Sequence, residues 1–229
     1  MNETITVLTS VYNGSLYLRE AIESTLSQTH HDFEFLIVDD ASTDDSLACI
    51  ESFKDSRIRI VRNEKNIGQV ASLNIGLTLA RGEYIARLDQ DDVNMPKRLE
   101  EQLAFMRANP HLVIICSFEH TIDSHGNYLR SWRAGIPNYG HFLGSVLLGL
   151  CPIWHPSVMF RRKMVLELGG YDNSFPIAED YELWSRIALN RLSGGIVPKF
   201  HLHQRLHDRR QSNLKGDVQR SSLIRAQEC

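Results

Sequence analysis

The sequence predicts an α/β fold built on a Rossmann-like, mostly parallel sheet flanked by helices, with a smaller mixed region after it. Apolar runs alternate with segments of helical periodicity through the first half of the chain, and the runs are almost continuously apolar. Strands of this kind are buried on both faces, which is typical of a parallel sheet covered by helices on each side. Gly and Pro are scattered, so the 229 residues are expected to form a single domain, 1–229.

Residues 1–110 are the regular half of this prediction. Four apolar runs predict strands, at Ile5–Leu8, Phe33–Val38, Ile58–Val61 and Tyr84–Leu88. Helices are predicted between and after these strands, at Leu16–Leu26, Ser46–Phe53, Val70–Leu79 and from Pro96 onward. In the last helix, Leu99, Leu103 and Met106 share one face, which is the spacing of a helix that packs against a sheet.

Residues 111–229 are less regular and predict the smaller mixed region. Extended segments are expected at Val113–Phe118 and Ser157–Phe160, with a turn at residues 124–127. Helical segments are expected at residues 138–150 and at Asp180–Asn190. No linker, repeat or low-complexity segment separates the two halves.

The charge of the chain is close to balanced, at −3, which gives no reason to expect nucleic acid or another polyanion as a partner. Residues 199–225 depart from this average, with seven Lys and Arg against two Asp. This basic tail suits contact with phosphates or an anionic membrane, and a solvated charged surface is an equally good interpretation.

Cysteine usage and hydropathy predict a cytoplasmic location. The four cysteines are widely spread and form no CxxC motif, which favours reduced thiols in a reducing compartment. No basic, apolar leader precedes the first strand, and the longest apolar stretch, Phe142–Pro152, is too short to span a bilayer. A peripheral position at the inner face of the membrane stays open.

Polar side chains follow three of the predicted strands at the point where each strand ends. They are Thr9–Asn13 after the first strand, Asp39–Ser42 after the second and Asp89–Asp92 after the fourth. The carboxyl ends of parallel strands meet at one edge of a sheet, where ligands bind. A single aspartate there can cap the next helix, but five aspartates at two strand ends exceed what two caps require. The sequence therefore predicts a ligand site at this edge.

The Asp89-Gln90-Asp91 motif places two carboxylates on alternate residues directly after an apolar strand. Mn²⁺ and Mg²⁺ prefer such oxygen ligands and often combine one or two carboxylates with the phosphates of a substrate. No GxGxxG motif follows the first strand, and no P-loop motif occurs. Their absence argues against a dinucleotide-binding or P-loop enzyme.

Six short stretches, spread over residues 3–215, carry a resemblance to a known family. They are Thr9–Asn13, Val38–Asp44, Asn66–Gly68, Leu88–Asp92, Ala178–Trp184 and Arg205–His207. In this order they resemble the family 2 glycosyltransferases, which are inverting enzymes with the GT-A fold. The resemblance implies transfer of a sugar from a nucleotide donor to an acceptor hydroxyl, with 1–110 as the nucleotide-sugar-binding half and 111–229 as the acceptor-side half.

The resemblance implies eight residues that bind the nucleotide sugar: Thr9, Tyr12, Asn13, Asp39, Asp40, Asn66, Gly68 and Asp89. Tyr12 stands where the family stacks an aromatic ring on the base, and Asp40, with Asp39 beside it, matches the carboxylate that accepts a hydrogen bond from the base. A carboxylate suits the imide N–H of uracil, so a UDP sugar is favoured, with a dTDP or GDP sugar left open. Asn66–Gly68 is a donor-side segment in the family, and the start of a helix is a nearly equal interpretation.

The resemblance also implies a divalent cation, Mn²⁺ or Mg²⁺, held by Asp91 with support from Asp89. His207 lies in a stretch from which the family's histidine reaches the metal or the diphosphate. The cation would neutralise charge on the departing nucleoside diphosphate. His201 and His203, together with His207, raise a zinc site as an alternative, but this set lacks a fourth ligand.

Glu179 and Asp180 match the acidic pair that the family places under the acceptor, which implies Asp180 as the general base. In a helix, Asp180 would share one face with three apolar residues, Leu183, Trp184 and Ile187. Glu179 would lie about 100° away from that face. The alternative is a first-turn acid that stabilises the helix dipole. His155, just before Pro156, is expected to have a structural role.

Two other functions stay open at this point. A nucleotidyltransferase that makes sugar nucleotides would need a glycine-rich phosphate loop after the first strand, which is absent. A non-catalytic nucleotide-sugar-binding protein would have no use for Asp91 and Asp180. By analogy alone, the acceptor is a glycan or a lipid-linked saccharide in polysaccharide or glycolipid synthesis. The motifs do not encode which sugar is transferred.

Overall fold

The computed structural model describes residues 5–133 and 138–208, and within them the first four strands form a parallel block at one side of a nine-stranded sheet. The block contains β1 (Ile5–Val11), β2 (Phe33–Asp39), β3 (Ile58–Arg62) and β4 (Tyr84–Arg87), in the order β3-β2-β1-β4. Val11 pairs with Asp39, and Asp39 pairs with Arg62. The carboxyl ends of β1, β2 and β3 therefore stop level at one edge.

Helices cover both faces of this block. They are α1 (Ser15–Leu26), α2 (Ser46–Ser52), α3 (Gln69–Leu79) and α4 (Arg98–Ala108). Leu36 and Val38 of β2 pack with residues of α3, whereas Phe35 and Ile37 belong to the apolar cluster that contains residues of α1 and α4. All four side chains are fully buried, which explains why the strand is one continuous apolar run.

The four strands and four helices predicted for the first half are confirmed, with ends that differ by a few residues. The sequence missed β5 (Val93–Asn94), which begins directly after Asp92. This strand pairs antiparallel with β9 (Ser193–Arg205). Two residues are too few to show a periodicity, so the sequence gives no signal for it.

The second half extends the same sheet mostly through antiparallel pairs, which confirms the smaller mixed region. β8 (Met159–Arg161) pairs antiparallel with β4 and with β6 (Leu112–Ile122), while β9 pairs parallel with β6. β7 (Tyr128–Trp132) is antiparallel to β6. The path through the sheet is β3-β2-β1-β4-β8-β6-β9-β5, with β7 attached to β6.

β9 changes the interpretation of the basic tail. Residues 199–205 lie in this strand, where Lys199 Nζ is 2.9 Å from Glu101 Oε1 and the buried Arg205 forms an ion pair with Glu20. These charges are matched by carboxylates of the same chain. Residues 209–225, which hold the rest of the tail, lie outside the described residues. Among the described helices, none is long and apolar enough to cross a membrane.

α7 (Glu179–Leu189) brings the acidic pair to the sheet. Trp184 on this helix is fully buried, and its Nε1 donates to the Ile153 carbonyl at 3.1 Å. This bond fixes the segment between α5 (Tyr139–Leu147) and the short 3-10 helix His155–Ser157 beside α7. α6 (Arg162–Glu167) follows β8 directly and is absent from the sequence prediction.

Candidate active site

The loop after β1 is tied to the loop after β2 by hydrogen bonds around Asn13. The backbone of Asn13 is left-handed, with φ +50°, a conformation that Asn adopts more readily than most residues. Its Oδ1 accepts from the N–H of Thr43 at 2.8 Å and of Asp44 at 3.3 Å, and its own N–H donates to Ser42 Oγ at 3.1 Å. Asn13 therefore shapes the site by holding two loops together.

Tyr12 lies at the mouth of the site, with 45% of its surface exposed. Its N–H donates to Gln90 Oε1 at 2.9 Å, and Gln90 Nε2 donates to the Tyr12 carbonyl at 3.3 Å. Gln90 is the middle residue of the Asp89-Gln90-Asp91 motif. The two hydrogen bonds therefore join the β1 loop to the acidic loop after β4. Thr9, in contrast, is buried inside β1, two residues before its end.

Asp40 is buried at the end of β2 and organises the loop before α3. Its Oδ1 accepts from the N–H of Ile67 at 2.9 Å, and its Oδ2 accepts from the N–H of Gly68 at 2.8 Å. Gly68 has φ +91°, a conformation that favours glycine. Asn66 is exposed, and its Oδ1 shares the Gly68 N–H at 3.2 Å. Gly68 is thus held directly by Asp40, whereas Asn66 is bonded to Gly68 and not to Asp40.

Asp39 is also buried but keeps one oxygen available. Its Oδ1 accepts from Ser42 N–H at 3.2 Å, whereas Oδ2 makes no hydrogen bond within the described residues and lies 3.4 Å from Arg62 Nε. Arg62 also lines an open depression of about 450 Å³, together with Ala41, Asn63 and Glu64. Contact of the nucleotide base with this acidic pair stays a prediction, for which the geometry favours Asp39 over Asp40.

The loop after β4 gathers three carboxylates. One oxygen from each of Asp89, Asp91 and Asp92 lies within 4.8 Å of the others, and Asp89 and Asp91 are partly exposed. Asp92 is fully buried, and its Oδ1 accepts from Arg205 N–H at 2.8 Å. The cluster therefore presents Asp89 and Asp91 toward a ligand, while Asp92 fastens the loop to β9.

His207 reaches this cluster from a distant part of the chain. Its Nε2 lies 2.7 Å from Asp91 Oδ2, and its ring centroid lies 4.8 Å from that of Tyr17. The neighbouring Arg205 donates from Nε to the Asp91 carbonyl at 3.1 Å. The stretch that was predicted to serve the acidic motif is thus held beside it.

The donor set of this cluster fits Mn²⁺ or Mg²⁺, because carboxylate oxygens are hard ligands. The zinc alternative finds no support: no group of three or more ligand residues in 5–133 and 138–208 contains a histidine. His201 Nε2 lies 2.7 Å from Glu101 Oε2, and the ring of His203 lies 5.5 Å from that of His120. Each of the two histidines has partners away from Asp91.

Glu179 and Asp180 open α7 within a buried polar group. Glu179 Oε1 lies 3.8 Å from His155 Nδ1, and His155 Nε2 lies 2.7 Å from the Tyr171 hydroxyl. Asp180 is partly exposed, and its Oδ1 accepts from Tyr181 N–H at 2.7 Å. Burial raises the pKa of both carboxyls, and the charge of Asp180 raises the pKa of Glu179 further. The pair therefore takes up a proton more readily than free carboxylates do.

Glu179, which helical spacing places about 100° from the face of Asp180, is buried as well. It is 8% exposed and contacts His155, because a side chain in a first turn leans back toward the preceding segment. Leu183 and Ile187 are fully buried, as predicted. His155 lies against the acidic pair, and its pKa is held well below the usual value by burial and by the charge of Arg87.

Arg87, the last residue of β4, links the acidic loop to the acidic pair, and the sequence analysis missed it. It is 3% exposed, forms an ion pair with Asp89, and its Nε and Nη1 make no hydrogen bond within the described residues. Burial alone would lower its pKa, but Asp89 and, more weakly, Glu179 hold it raised. Its charge in turn lowers the pKa of Asp180, against the effect of burial. The available signal was a positive charge in an otherwise apolar strand.

Comparisons with known proteins find a matching family model and several similar glycosyltransferases. The family model described as Glycosyl transferase family 2 matches residues 6–169. An uncharacterised glycosyltransferase of Methanocaldococcus jannaschii is 34% identical over 90% of this chain and 71% of its own length. The O-antigen biosynthesis glycosyltransferase WbnJ of Escherichia coli is 32% identical over 81% of this chain and 72% of its own length. An uncharacterised glycosyltransferase of Rickettsia conorii is 39% identical over 86% of this chain, and the match spans 32% of the length of that relative.

Solved structures share the fold. S. aureus TarS in complex with UDP-GlcNAc matches 89% of this chain with a TM-score of 0.71 at 20% identity, and the match covers 59% of the TarS chain. The complex of the same protein with UDP matches 97% of this chain with a TM-score of 0.71, covering 64% of the TarS chain. These likenesses confirm the α/β architecture of the GT-A type.

Proposed function

The chain belongs to glycosyl transferase family 2, and on that premise we propose that it moves a sugar from a nucleotide donor, a UDP sugar, to an acceptor hydroxyl with inversion at the anomeric carbon. One observation carries the proposal. The donor loop at Tyr12 is hydrogen-bonded to Gln90 of the Asp89–Asp91 loop. Arg87 forms an ion pair with Asp89 of that loop, and its charge acts on the Glu179–Asp180 pair. A donor site and a proton acceptor thus lie on one edge of the sheet.

The donor assignment rests on the chemistry of the β1 and β2 loops. Tyr12 offers a half-exposed ring on a fixed backbone, and Asp39 Oδ2, which makes no hydrogen bond within the described residues, suits the imide N–H of uracil. The structural neighbour TarS has been solved with UDP and with UDP-GlcNAc, which supports a uridine nucleotide. A role in polysaccharide synthesis follows the example of the O-antigen relative.

Asp89 and Asp91 would hold the divalent cation, with His207 in reach of Asp91. When bound, Mn²⁺ or Mg²⁺ supplies positive charge that neutralises the departing diphosphate. The hydrogen bond from the Arg205 N–H of β9 to Asp92 Oδ1 keeps the loop in place. The ion pair with the buried Arg87 holds the carboxylate of Asp89 in place.

Asp180 is the proposed general base. It removes the proton of the acceptor hydroxyl, whose oxygen then forms a bond to the anomeric carbon. The bond from that carbon to the diphosphate oxygen breaks on the opposite face, and the nucleoside diphosphate leaves with the bonding electrons. The proton stays on Asp180, whose raised pKa suits it to hold the proton until release. No acid is needed at the leaving group, because the diphosphate departs as an anion.

A thermal-unfolding experiment tests the donor and metal assignments together. UDP with Mn²⁺ should stabilise the protein more than GDP or ADP. At 100 times its dissociation constant, UDP should add about 2.7 kcal/mol to the free energy of unfolding of the unliganded protein. Asp91→Asn should keep the fold, since the residue is outside the apolar core, but should lose most of the Mn²⁺-dependent stabilisation. Asp32→Asn is the matched control, because Asp32 is exposed and precedes β2 at the opposite edge of the sheet.

Four outcomes would overturn parts of the proposal. Equal stabilisation by all three nucleotides removes the uridine assignment, and stabilisation that ignores Mn²⁺ removes the metal. Undiminished metal-dependent binding in Asp91→Asn moves the ligand role to Asp89 or Asp92. Incubation with UDP sugars should release UDP; pyrophosphate as the product would point to a nucleotidyltransferase instead.

A further inference from the structure

Two of the three tryptophans form a pair beside the proposed base. The ring centroids of Trp132 and Trp154 are 5.2 Å apart at an interplanar angle of 52°, and both side chains are partly exposed. Trp184 provides the contrast, since it is fully buried with its Nε1 bonded to the Ile153 carbonyl. The indole N–H groups of Trp132 and Trp154 make no hydrogen bond within the described residues, so packing of the core does not account for them.

The segment that carries Trp154 runs along the start of α7. Its neighbour Ile153 is fully buried, and His155 on the other side contacts Glu179. Earlier in the same segment, Cys151 Sγ lies 3.9 Å from Asp180 Oδ2. Trp154 is therefore held between two anchored residues, in a segment that contacts both Glu179 and Asp180.

Trp132 reaches the pair from a different element. It is the last residue of β7 and pairs across the hairpin with Glu119 of β6. The other residues of β7 are exposed, whereas Trp132 is partly buried and packs on Trp154. Two separate parts of the chain thus supply one aromatic surface.

We propose that Trp132 and Trp154 form the acceptor subsite and bind a pyranose ring of a carbohydrate acceptor. The inference rests on the proposed function and adds the chemical class of the acceptor. A pyranose ring has a face of C–H groups that packs on an indole ring, and hydroxyls at its rim that accept from indole N–H. An acyl chain would use the ring faces but leave the N–H donors without partners. A sugar held there places its hydroxyl near Asp180.

The test compares Trp132→Ala and Trp154→Ala with the conservative Trp→Phe variants at the same positions. The first measurement is intrinsic fluorescence, in which the buried Trp184 gives a constant background, titrated with methyl glycosides of common hexoses and N-acetylhexosamines. Binding should change the fluorescence. Each Ala substitution should raise the dissociation constant of the glycoside at least about tenfold, which corresponds to 1.4 kcal/mol of binding free energy. The Phe variants should keep part of the affinity, because a flat ring remains for stacking.

The second measurement uses whichever glycoside binds as acceptor. The Ala variants should raise its KM about tenfold with a smaller change in kcat, and the thermal stabilisation by UDP with Mn²⁺ should equal that of the parent protein. Tyr128→Ala is the matched control, because Tyr128 is an exposed aromatic residue at the other end of β7. Its acceptor KM should not change.

The proposal is overturned if no methyl glycoside changes the fluorescence, or if the Ala variants bind glycosides within twofold of the parent protein. Binding of octyl glycosides without binding of methyl glycosides would also overturn it, in favour of contact with an apolar tail. Failure of the proposed function is distinct from these results, because it would show as absent UDP binding in the parent protein.

Discussion

The donor loops and the acidic pair of α7 hold their carboxylates in opposite ways. Asp40 accepts from the N–H groups of Ile67 and Gly68, and the Asn13 amide oxygen accepts from two more backbone N–H groups. Glu179 and Asp180 are in a buried polar group where burial, the largest influence, raises their pKa.

This difference matches the task of each region. A site that binds the donor must keep one shape. Hydrogen bonds from backbone N–H groups to charged or amide oxygens hold the loops in that shape, so the loops need not be ordered again when the donor binds. A general base must change its protonation state during turnover, which requires a carboxylate whose charge is only moderately favoured. We infer that hydrogen bonding organises the donor side and that burial tunes the acceptor side.

The largest expected effect is a loss of turnover on substitution of Asp180, with the donor side left intact. Asp180→Asn preserves the shape of the side chain but cannot accept a proton, so turnover should fall by about 10²- to 10⁴-fold. Affinity for UDP with Mn²⁺ should stay near that of the parent protein. Glu179→Gln should cost less than about tenfold, because the base remains. Steady-state kinetics with a working acceptor gives both numbers; an inactive Glu179→Gln beside an active Asp180→Asn would move the base by one residue.

The next largest effect is a loss of folding stability on substitution of Asp40 on the donor side. Asp40→Asn weakens two buried N–H acceptor bonds, so the free energy of unfolding should drop by roughly 1–3 kcal/mol. Asp39→Asn should cost less stability and instead reduce UDP affinity, since its Oδ2 has no such bond within the described residues. Urea unfolding and UDP titration of both variants test this. If Asp40→Asn loses UDP affinity at unchanged stability, the base contact belongs to Asp40.

The smallest effect sharpens the link between the two regions. Arg87→Met removes a positive charge that favours the ionised form of Asp180, so the pKa of that carboxyl should rise. The base is active when deprotonated, so the acid limb of kcat/KM should move to higher pH by about one unit. Glu179→Gln removes a negative neighbour and should move the limb to lower pH.

The control for this pair of shifts is Arg59→Met. Arg59 also forms an ion pair with a largely buried carboxylate, Glu34, but both lie away from the ligand-binding edge. Its pH profile should match that of the parent protein. Shifts of the same sign in Arg87→Met and Glu179→Gln would show that neither charge acts on the base.

The sequence by itself determined the parallel block, its helices and the residues that follow each strand. These features are local: a strand buried on both faces is a continuous apolar run, and a helix on its surface repeats every 3.6 residues. The motif residues Tyr12, Asp39 and Asp91 are found from sequence for the same reason, because each lies at the end of a strand that periodicity defines or in the loop just after it.

Only the tertiary structure decided which distant residues lie together. His207 meets Asp91 across 116 positions of the chain, Arg87 acts on Glu179, and Trp132 packs on Trp154. These pairings depend on the order of the strands β8, β6 and β9 in the sheet, which no local spacing encodes. Burial is likewise a property of the packed chain, so the raised pKa of the acidic pair exists only once α7 has docked against the sheet.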